Sequence, residues 1–401
     1  MSVTNIIQSE KGFTFTLTGA NCCFANALRR TILSHIDRVV LDDFLVEENT
    51  TSQFHNEIVK HRLQSIPVHV ALPTGEEMER FCDEHFMELD VQNKTEEKMY
   101  VTSEHFRVIN KKTGQPVDAK ALFPPYKSFY YVDLLRLAPG RGETIQGERI
   151  KLRSGFAVRS SHDNSCYSVV SKCTYQNTID MNVAMAAWDK AEREIRKGDS
   201  SSASVSEEVI TVRKRDFLAL DAARHFKPDS FDFAIRSNGI YEEPDLVVRG
   251  CNMLITGFKQ LAEDVQSDSL QIVPSSTRPD HASSMEHSMD VVLTKAHSDH
   301  GAGDEEDAKD AKKRVHIDGY SVGYILDHLL YKKYVEGSKT LTYCGFAKFH
   351  PHSAEHVLRI AFRKPDDMPA LAKTYIADAC NDAVRVIEKI GVSFTKYSPA
   401  R

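Results

Sequence analysis

Hydrophobic and polar residues alternate near the start of the chain and then change to a helical spacing. Apolar residues separated by threonines form the period-two pattern of a half-buried strand, at Phe13, Phe15 and Leu17. Asn21 then suits the N-cap of a helix. Beyond it, apolar side chains recur at the 3.6-residue spacing of one helix face, at Phe24, Ala27, Leu28 and Ile32. The pattern predicts a strand and then a helix, with Arg29 and Arg30 away from the apolar face.

The middle of the chain is richer in turns. Residues 39–70 predict a strand, a polar loop and a second strand, since Pro67 favours extended geometry before it. Between residues 71 and 175, short strand-like runs alternate with Gly- and Pro-containing turns, which predicts an inserted, mostly β domain. The pattern next predicts a helix over 180–197, a flexible Ser/Gly loop over 198–206, a strand over 231–236 and a long helix from Glu243.

A linker precedes the last part of the chain. Residues 274–287 are rich in Pro, Ser and Thr and poor in apolar residues. The following pattern predicts strands over 289–296, 314–319, 338–349 and 356–362, a helix over 320–334, a solvated acidic loop over 299–310 and a helix over 368–390. That last helix has a broad apolar stripe, which must be buried against a large surface.

One order of elements is predicted twice. Strand, Gly-containing turn, helix, hairpin, strand and long helix occur at 11–70 with 231–267, and again at 314–390. Two such modules could pack with pseudo-two-fold symmetry through their apolar stripes. The predicted interface residues are Phe24, Leu28, Ile32, Leu254, Phe258, Leu261, Leu326, Leu329, Leu371, Tyr375, Ile376 and Ile387.

Composition and charge exclude several classes of protein. The 401 residues carry a net charge of −6, whereas a protein that binds nucleic acid over most of its surface is usually basic. No stretch approaches the roughly 20 apolar residues of a membrane helix, and the first residues lack the apolar core of a signal peptide. The eight cysteines are scattered without a Cys-x-x-Cys pair, which predicts buried thiols rather than structural zinc.

Patterns for catalysis or metal binding are weak. The nucleophile-elbow, phosphate-loop and dinucleotide motifs are absent. The acidic run at 304–307 lies among Gly, Ala and Lys and is best interpreted as a solvated loop. Two candidate ligand sets lack the spacing of a zinc site, namely Glu48, His55, Glu57 and His61, and His350, His352 and His356. We expect no catalytic residue, cofactor or metal.

Two longer segments stand out in the sequence, residues 24–33, FANALRRTIL, and residues 55–68, HNEIVKHRLQSIPV. They resemble, in order, the first-helix signature and the next signature of the α-type RNA polymerase subunits. That family includes bacterial α, the archaeal D-like chain and the third-largest chain of RNA polymerase II. Weaker similarity follows at 139–145 and 231–239.

The C-terminal part is similar to the small partner of that heterodimer, which is the archaeal L-like chain or the smaller α-like chain of RNA polymerase II. The similarity lies at residues 318–326 and 350–360, although Gly319 and Tyr324 depart from the family's His and Asn. The resemblance implies an α+β fold, in which two α-like dimerisation modules pack their long helices and the first carries a β-rich insertion. The implied domains are 1–70 plus 176–273, the insertion 71–175, the linker 274–287 and the second module 288–401.

The resemblance also implies a function. The chain would be a non-catalytic assembly scaffold of a DNA-directed RNA polymerase, with nucleotidyl transfer in partner subunits. Those partners would be the largest and second-largest subunits and small zinc-bearing accessory subunits, with DNA contacted only through the complex and no membrane contact. The implied docking residues are Asn26, Arg29, Arg30, His55, Glu57, His61 and Arg62.

Two modules on one chain resemble the fused subunits of certain large DNA viruses of eukaryotes. This implies a viral polymerase in the host cytoplasm and virion, or a nuclear one if the chain is cellular. Alternatives remain open at this point. The chain could be an adaptor that kept the α-like fold outside the polymerase, the insertion could hold an unrecognised enzyme, and Arg29 and Arg30 could belong to a solvated helix face.

Overall fold

The computed structural model describes residues 1–10, 12–70, 72, 74–127, 129–140, 146–198, 206–267, 269–278, 283–294, 318–350, 352 and 355–397. Most of the predicted Ser/Gly loop, the whole acidic loop and residues 314–317 of the predicted strand 314–319 lie outside these residues. Residue 319, the last of that predicted strand, instead begins a helix. The fold combines helices and antiparallel sheets, as expected for the α+β class.

The described strands in chain order are β1 (Ser2–Ser9), β2 (Gly12–Thr18), β3 (Arg38–Asn49), β4 (His85–Gln92), β5 (Met99–Thr102), β6 (Arg107–Asn110), β7 (Pro116–Val117), β8 (Asp133–Leu137), β9 (Arg149–Arg159), β10 (Val170–Ile179), β11 (Phe226–Ser237), β12 (Gln271–Pro274), β13 (Ser288–Thr294), β14 (Leu341–Ala347) and β15 (Glu355–Phe362). The described helices are α1 (Cys22–Ser34), α2 (Asn56–Gln64), α3 (Gly75–Glu84), α4 (Ala119–Leu122), α5 (Met181–Gly198), α6 (Glu207–Ala219), α7 (Glu243–Gln266), α8 (Gly319–Leu330) and α9 (Met368–Val392). A π-helical segment, Tyr331–Gly337, continues α8.

The chain divides into two compact units. The first unit comprises Met1–Thr31, Lys172–Arg236 and Val247–Arg401, and the second comprises Ile32–Ser171 and Ser237–Leu246. Both ends of the chain therefore belong to the first unit.

The N-terminal sheet of the first unit has the strand order β1-β2-β11-β10. Alternation in β2 buries Phe13, Phe15 and Leu17, as the period-two pattern predicts. Phe15 lies opposite Phe233 in the ladder between β2 and β11, and the two rings stack with centroids 4.8 Å apart. Gly12 has a φ of +122°, and a Cβ there would lie 2.5 Å from the carbonyl oxygen of Ile235. Only glycine therefore fits at the start of β2.

The C-terminal sheet of the first unit has the order β12-β13-β15-β14, with every pairing antiparallel. Strand β15 is central and almost fully buried. Helix α8 packs against this sheet so closely that a Cβ on Gly323 would lie 2.1 Å from the ring of Phe346. The Asp318 side chain caps α8 by accepting a hydrogen bond from the backbone N–H of Ser321.

The second unit holds a five-stranded sheet of order β3-β9-β4-β6-β7 and the two-stranded sheet β5-β8. Its boundaries differ from the predicted insertion 71–175, because residues 32–70 also belong to it. Strand β3 pairs with β9 over most of its length, and Val59 and Leu63 of α2 join the core of this unit. Long-range pairing of this kind is invisible in the local pattern.

The polar loop expected within residues 39–70 is wrong in part, because residues Asn56–Gln64 form helix α2. Val59 and Leu63 are four residues apart and share one buried face, while every other position of the helix except Ile58 is polar. Helix α3 was likewise missed in the region expected to be mostly β, although Thr74 and Glu77 form a capping box that could have indicated it. Helix α6 was also unpredicted, and its buried face contributes Ile210.

Candidate functional site

The two ends of the chain meet in one aromatic cluster within the first unit. Phe394, two residues after α9, places its ring edge-on to Phe15 at 4.7 Å and to Phe13 at 6.1 Å. All three rings are buried. Nearby, a Cβ on Gly391 would lie 3.4 Å from the Cβ of Cys251 in α7, so α9 and α7 approach closely here. The end of α9 and the residues after it thus contribute to the same core as the N-terminal sheet.

The residues predicted at the module interface are buried to different extents. Phe24, Leu28, Ile32, Leu254, Phe258, Leu326, Ile376 and Ile387 are buried, whereas Leu261, Leu329, Leu371 and Tyr375 are partly buried. Tyr375 stacks on Tyr334 of the π-helical segment, with ring centroids 3.8 Å apart. Burial alone suits both an interface between modules and the core of one module, so each residue's assignment to the interface stays a prediction.

An ion pair joins the end of α1 to the start of α8. The Nε of Arg30 donates to Oδ2 of Asp318 at 2.9 Å, and the guanidinium lies 6.0 Å from the ring centroid of Tyr320. Burial raises the pKa of Asp318, but the hydrogen bond and charge of Arg30, together with Ser321, outweigh it and lower the pKa below its usual range. Arg30 therefore already has a partner within this chain, which the prediction of an external docking role did not include.

The other predicted docking residues of α1 contact one another. The guanidinium of Arg29 donates from both Nε and Nη2 to Oδ1 of Asn26, one turn earlier, at 3.2 and 2.9 Å. This pairing orients the Arg29 side chain along the helix surface. The arrangement is compatible with a preformed contact site, because an arginine held in one rotamer loses less entropy on binding.

The remaining predicted docking residues lie on or next to α2 in the second unit. His55 is exposed and stands at the N-cap position without a capping side-chain bond. On one exposed face of α2, Nε2 of His61 lies 3.0 Å from Oε1 of Glu57. Arg62 instead points back to its own unit, donating to the carbonyl oxygens of Leu134 and Asp133 at 2.6 and 2.8 Å. Its geometry is that of a brace between α2 and β8 rather than of an open docking group.

A buried charged cluster in the C-terminal sheet escaped the sequence analysis. Asp290 on β13 is fully buried, and Arg359 on β15 donates to both its carboxylate oxygens at 2.7 and 2.8 Å. Ser275 donates to Oδ1 at 2.6 Å, and the Arg278 guanidinium lies 3.9 Å away. Ser275 and Arg278 belong to the predicted linker, so this part of it is held against the C-terminal sheet. Only the isolated Asp in an apolar strand pattern could have signalled the cluster.

The histidine sets are separated by structure. His350 and His352 are near each other in a turn, with the His352 backbone N–H donating to Nδ1 of His350 at 3.1 Å. His356 is buried against Tyr320. Within the described residues, no group of three or more His, Cys, Asp or Glu side chains could hold a metal ion.

None of the helices described is both long and apolar enough to cross a bilayer.

Comparison with known proteins points to one family. Residues 14–258, more than half of the chain, match the RNA polymerase Rpb3/Rpb11 dimerisation domain. DNA-directed RNA polymerase subunit Rpo3 of Pyrococcus horikoshii is 21% identical over 269 residues, which cover 65% of this chain and 95% of the relative. Rpo3 of Pyrococcus furiosus is 41% identical over 61 residues (15% and 23%), and Rpo3 of Thermococcus kodakarensis is 44% identical over 54 residues (14% and 20%).

Proposed function

This chain belongs to the family of the RNA polymerase Rpb3/Rpb11 dimerisation domain, and on that premise we propose that it carries both halves of an α-type heterodimer and docks the two large catalytic subunits. Membership establishes the coarser role of an α-type assembly subunit of DNA-directed RNA polymerase. Subunits of this type are non-catalytic, so nucleotidyl transfer belongs to partner chains.

The observation that carries the fused-heterodimer proposal is the core shared by both ends of the chain. The family match ends at residue 258, yet the sheet β12-β13-β15-β14 with α8 and α9 follows it. Phe394 packs against Phe13 and Phe15, and Arg30 pairs with Asp318. Tethering two partners on one chain gives an effective concentration on the order of millimolar, so a separate small subunit becomes unnecessary.

The docking proposal assigns large-subunit contacts to the partly exposed polar side of α1 in the first unit and, separately, to α2 in the second unit. Its residues are Asn26, Arg29, Arg30, His55, Glu57, His61 and Arg62. Support comes from the preoriented Arg29 and from the exposed Glu57–His61 pair. Arg30 and Arg62 are already engaged within the chain, so we assign Arg30 the role of holding the local surface of α1 in shape, and Arg62 the same role for α2. Small zinc-bearing accessory subunits complete the proposed set of partners.

Affinity purification of the tagged chain from its native setting, followed by mass spectrometry, tests the function. We expect two very large chains in near-equal amounts and an eluate that extends RNA on DNA. Recovery of the chain alone, or with unrelated proteins, would favour the adaptor outside the polymerase.

Charge reversal tests the docking surface. Arg29→Glu is expected to lower recovery of the large chains at least about tenfold, the equivalent of roughly 1.4 kcal/mol. Arg215→Glu on α6 is the matched control, because Arg215 is exposed and pairs only with its neighbour Asp216 among the described residues. Equal recovery with both variants would remove Arg29 from the interface.

Sedimentation equilibrium tests whether the modules pair within one chain. Intramolecular pairing predicts a 45.2 kDa monomer at all concentrations, whereas exchange of modules between chains predicts a dimer.

A viral origin carries its own proposed location, the viral factory of the host cytoplasm and the virion, with the nucleus as the cellular alternative. Fractionation of producing cells and of purified particles distinguishes these locations.

A further inference from the structure

A tyrosine-lined cleft opens between the first helices of the two modules, within the first unit. Its volume is about 460 Å³. One wall is the start of α1, with Asn21, Cys22 and Asn26, and the opposite wall is α8. Because each module supplies one wall, the cleft exists only when the two modules are paired.

Helix α8 presents two different faces. Its core face carries Val322, Ile325, Leu326 and Leu330, all of them buried. A second stripe, spaced four, three and four residues apart, lines the cleft with Tyr320, Tyr324 and Asp327 of α8 and with Tyr331, the first residue of the π-helical segment. These three tyrosines are among the exposed large side chains of the protein, with Tyr324 51% and Tyr331 44% exposed. Tyr320 and Tyr324 each pack edge-on against Phe346, with ring centroids 6.0 and 5.0 Å apart. The exposed parts of these rings and of Tyr331 line the same cleft as the Asp327 side chain.

The carboxylate is the distinctive group in this cleft. Asp327 is half-buried, and within the described chain no Lys, Arg or His side chain lies within ion-pair distance of it. Burial raises its pKa, although bonds from the Cys344 thiol and the Phe346 backbone N–H oppose the rise. Its neighbour His328 is itself shifted by burial towards the neutral form. Among the described residues, no cation therefore pairs with the Asp327 carboxylate.

We propose that the cleft receives an arginine side chain presented by a partner protein. A guanidinium can pair with the Asp327 carboxylate while its plane stacks on Tyr324 or Tyr331. The protein already uses this chemistry beside the cleft, where Arg30 and Lys348 lie 6.0 and 5.6 Å from the ring centroid of Tyr320. Nucleic acid is the poorer fit, because its phosphates would be repelled by Asp327. The identity of the partner as a polymerase subunit rests on the proposed function, whereas the preference of the cleft for a cation does not.

The test uses the full-length chain with 3-fluorotyrosine placed at position 324 and observed by ¹⁹F NMR. The probes are N-acetyl-arginine methylamide and its neutral isostere N-acetyl-citrulline methylamide. We expect the arginine probe to shift the resonance saturably, with a Kd on the order of millimolar for one side chain, and the citrulline probe to leave it unchanged. Equal shifts with both probes, or no saturable shift, would overturn the proposal.

Variants separate the charge from the rings. Asp327→Asn is expected to weaken arginine binding about tenfold, and Tyr331→Leu about threefold, in line with the usual size of a cation–π contact. Glu336→Gln is the matched control, since it removes the same charge from an exposed position outside the cleft. Undiminished binding by Asp327→Asn would refute the assignment. A fluorine shift produced by a uridine decanucleotide instead of arginine would do the same.

A cross-link reports on the partner in the assembled complex. With p-benzoylphenylalanine at position 324, the purified complex should yield an adduct to an arginine-bearing peptide, and Asp327→Asn should lower that yield. An adduct to nucleic acid contradicts the proposal. Co-purification of the large chains is measured separately, so loss of cation binding with intact co-purification would reject only the role of the cleft.

Discussion

The ring of Phe394 meets the ring of Phe15 edge-on, with centroids 4.7 Å apart. Phe15 lies in the second strand of the chain and Phe394 just after the last helix, so almost the whole sequence separates them. Edge-to-face aromatic pairs contribute about 0.5–1.5 kcal/mol beyond the burial of their area. This contact makes the stability of the N-terminal sheet depend on the residues that follow α9.

Removing the Phe394 ring should therefore destabilise the whole first unit. Phe394→Ala is expected to lower the free energy of unfolding by about 3–5 kcal/mol, because the ring is fully buried and a cavity remains. Urea unfolding monitored by circular dichroism measures the change. Val392→Ala is the control, since Val392 is 65% exposed and should change stability by less than about 0.5 kcal/mol. A small effect of Phe394→Ala would mean that the two ends do not share a core.

The cap and the ion pair at Asp318 can be separated by substitution. Asp318→Ala removes both and should cost about 1–2 kcal/mol, whereas Asp318→Ser keeps a capping oxygen and should lose only the pair. Arg30 is 40% exposed, so solvent screens the pair and its contribution should stay below about 1 kcal/mol. Chemical denaturation of the three proteins measures these differences. Equal losses for both variants would show that the ion pair, and not the cap, dominates.

The lowered pKa of Asp318 predicts a specific pH dependence. The pKa is depressed in the folded state, so the stabilisation is complete above the usual value of 3.8 and is lost as the pH falls through the lower folded value. Wild-type protein should lose this part of its stability below about pH 4, and Asp318→Ser should not. Unfolding curves collected from pH 6 down to pH 2 compare the two slopes. Parallel curves would contradict the assignment.

Breaking the buried pair in the C-terminal sheet should be costly. Asp290→Ala leaves the guanidinium of Arg359, and that of Arg278, without its buried carboxylate, and we expect a loss of about 3–5 kcal/mol. Arg385→Ala is the control, because the Arg385 side chain is 72% exposed in its pair with Asp382. This substitution should lower the free energy of unfolding by less than about 1 kcal/mol. Thermal unfolding followed by calorimetry distinguishes the two. A tolerated Asp290→Ala would imply that water replaces the carboxylate.

Charges placed on the apolar stripe of α9 should prevent correct packing. The double variant Leu371→Asp, Ile376→Asp puts one carboxylate at a fully buried position and one at a partly buried position, where an unpaired charge costs several kcal/mol. We expect aggregation and loss of assembly, measured by light scattering and co-purification. Asn381→Asp, exposed on the same helix, should remain soluble. A soluble, folded and assembly-competent double variant would rule out the packed-helix arrangement.

Local sequence patterns were sufficient to predict those strands and helices that bury a single apolar face. The alternation at 13–17 predicted β2, and the helical spacing predicted α1, α7 and α9 close to their observed bounds. Motifs of ten or more residues were sufficient for the α-type family, which the match over residues 14–258 confirms. These features depend on neighbours in the sequence, and so the sequence alone contains them.

Only the tertiary structure showed the features that depend on residues far apart in the sequence. The sequence could not assign residues 32–70 to the second unit, because that follows from the pairing of β3 with β9, about a hundred residues apart. Nor could it show that Arg30 forms an ion pair with Asp318 or that Arg62 donates a hydrogen bond to the backbone of β8. The ion pairs of Asp290 with Arg359 and Arg278 were equally invisible in the sequence. A charged side chain looks the same in sequence whether it faces solvent or a partner, since its pairing depends on which strands and helices the fold brings within a few ångströms of it.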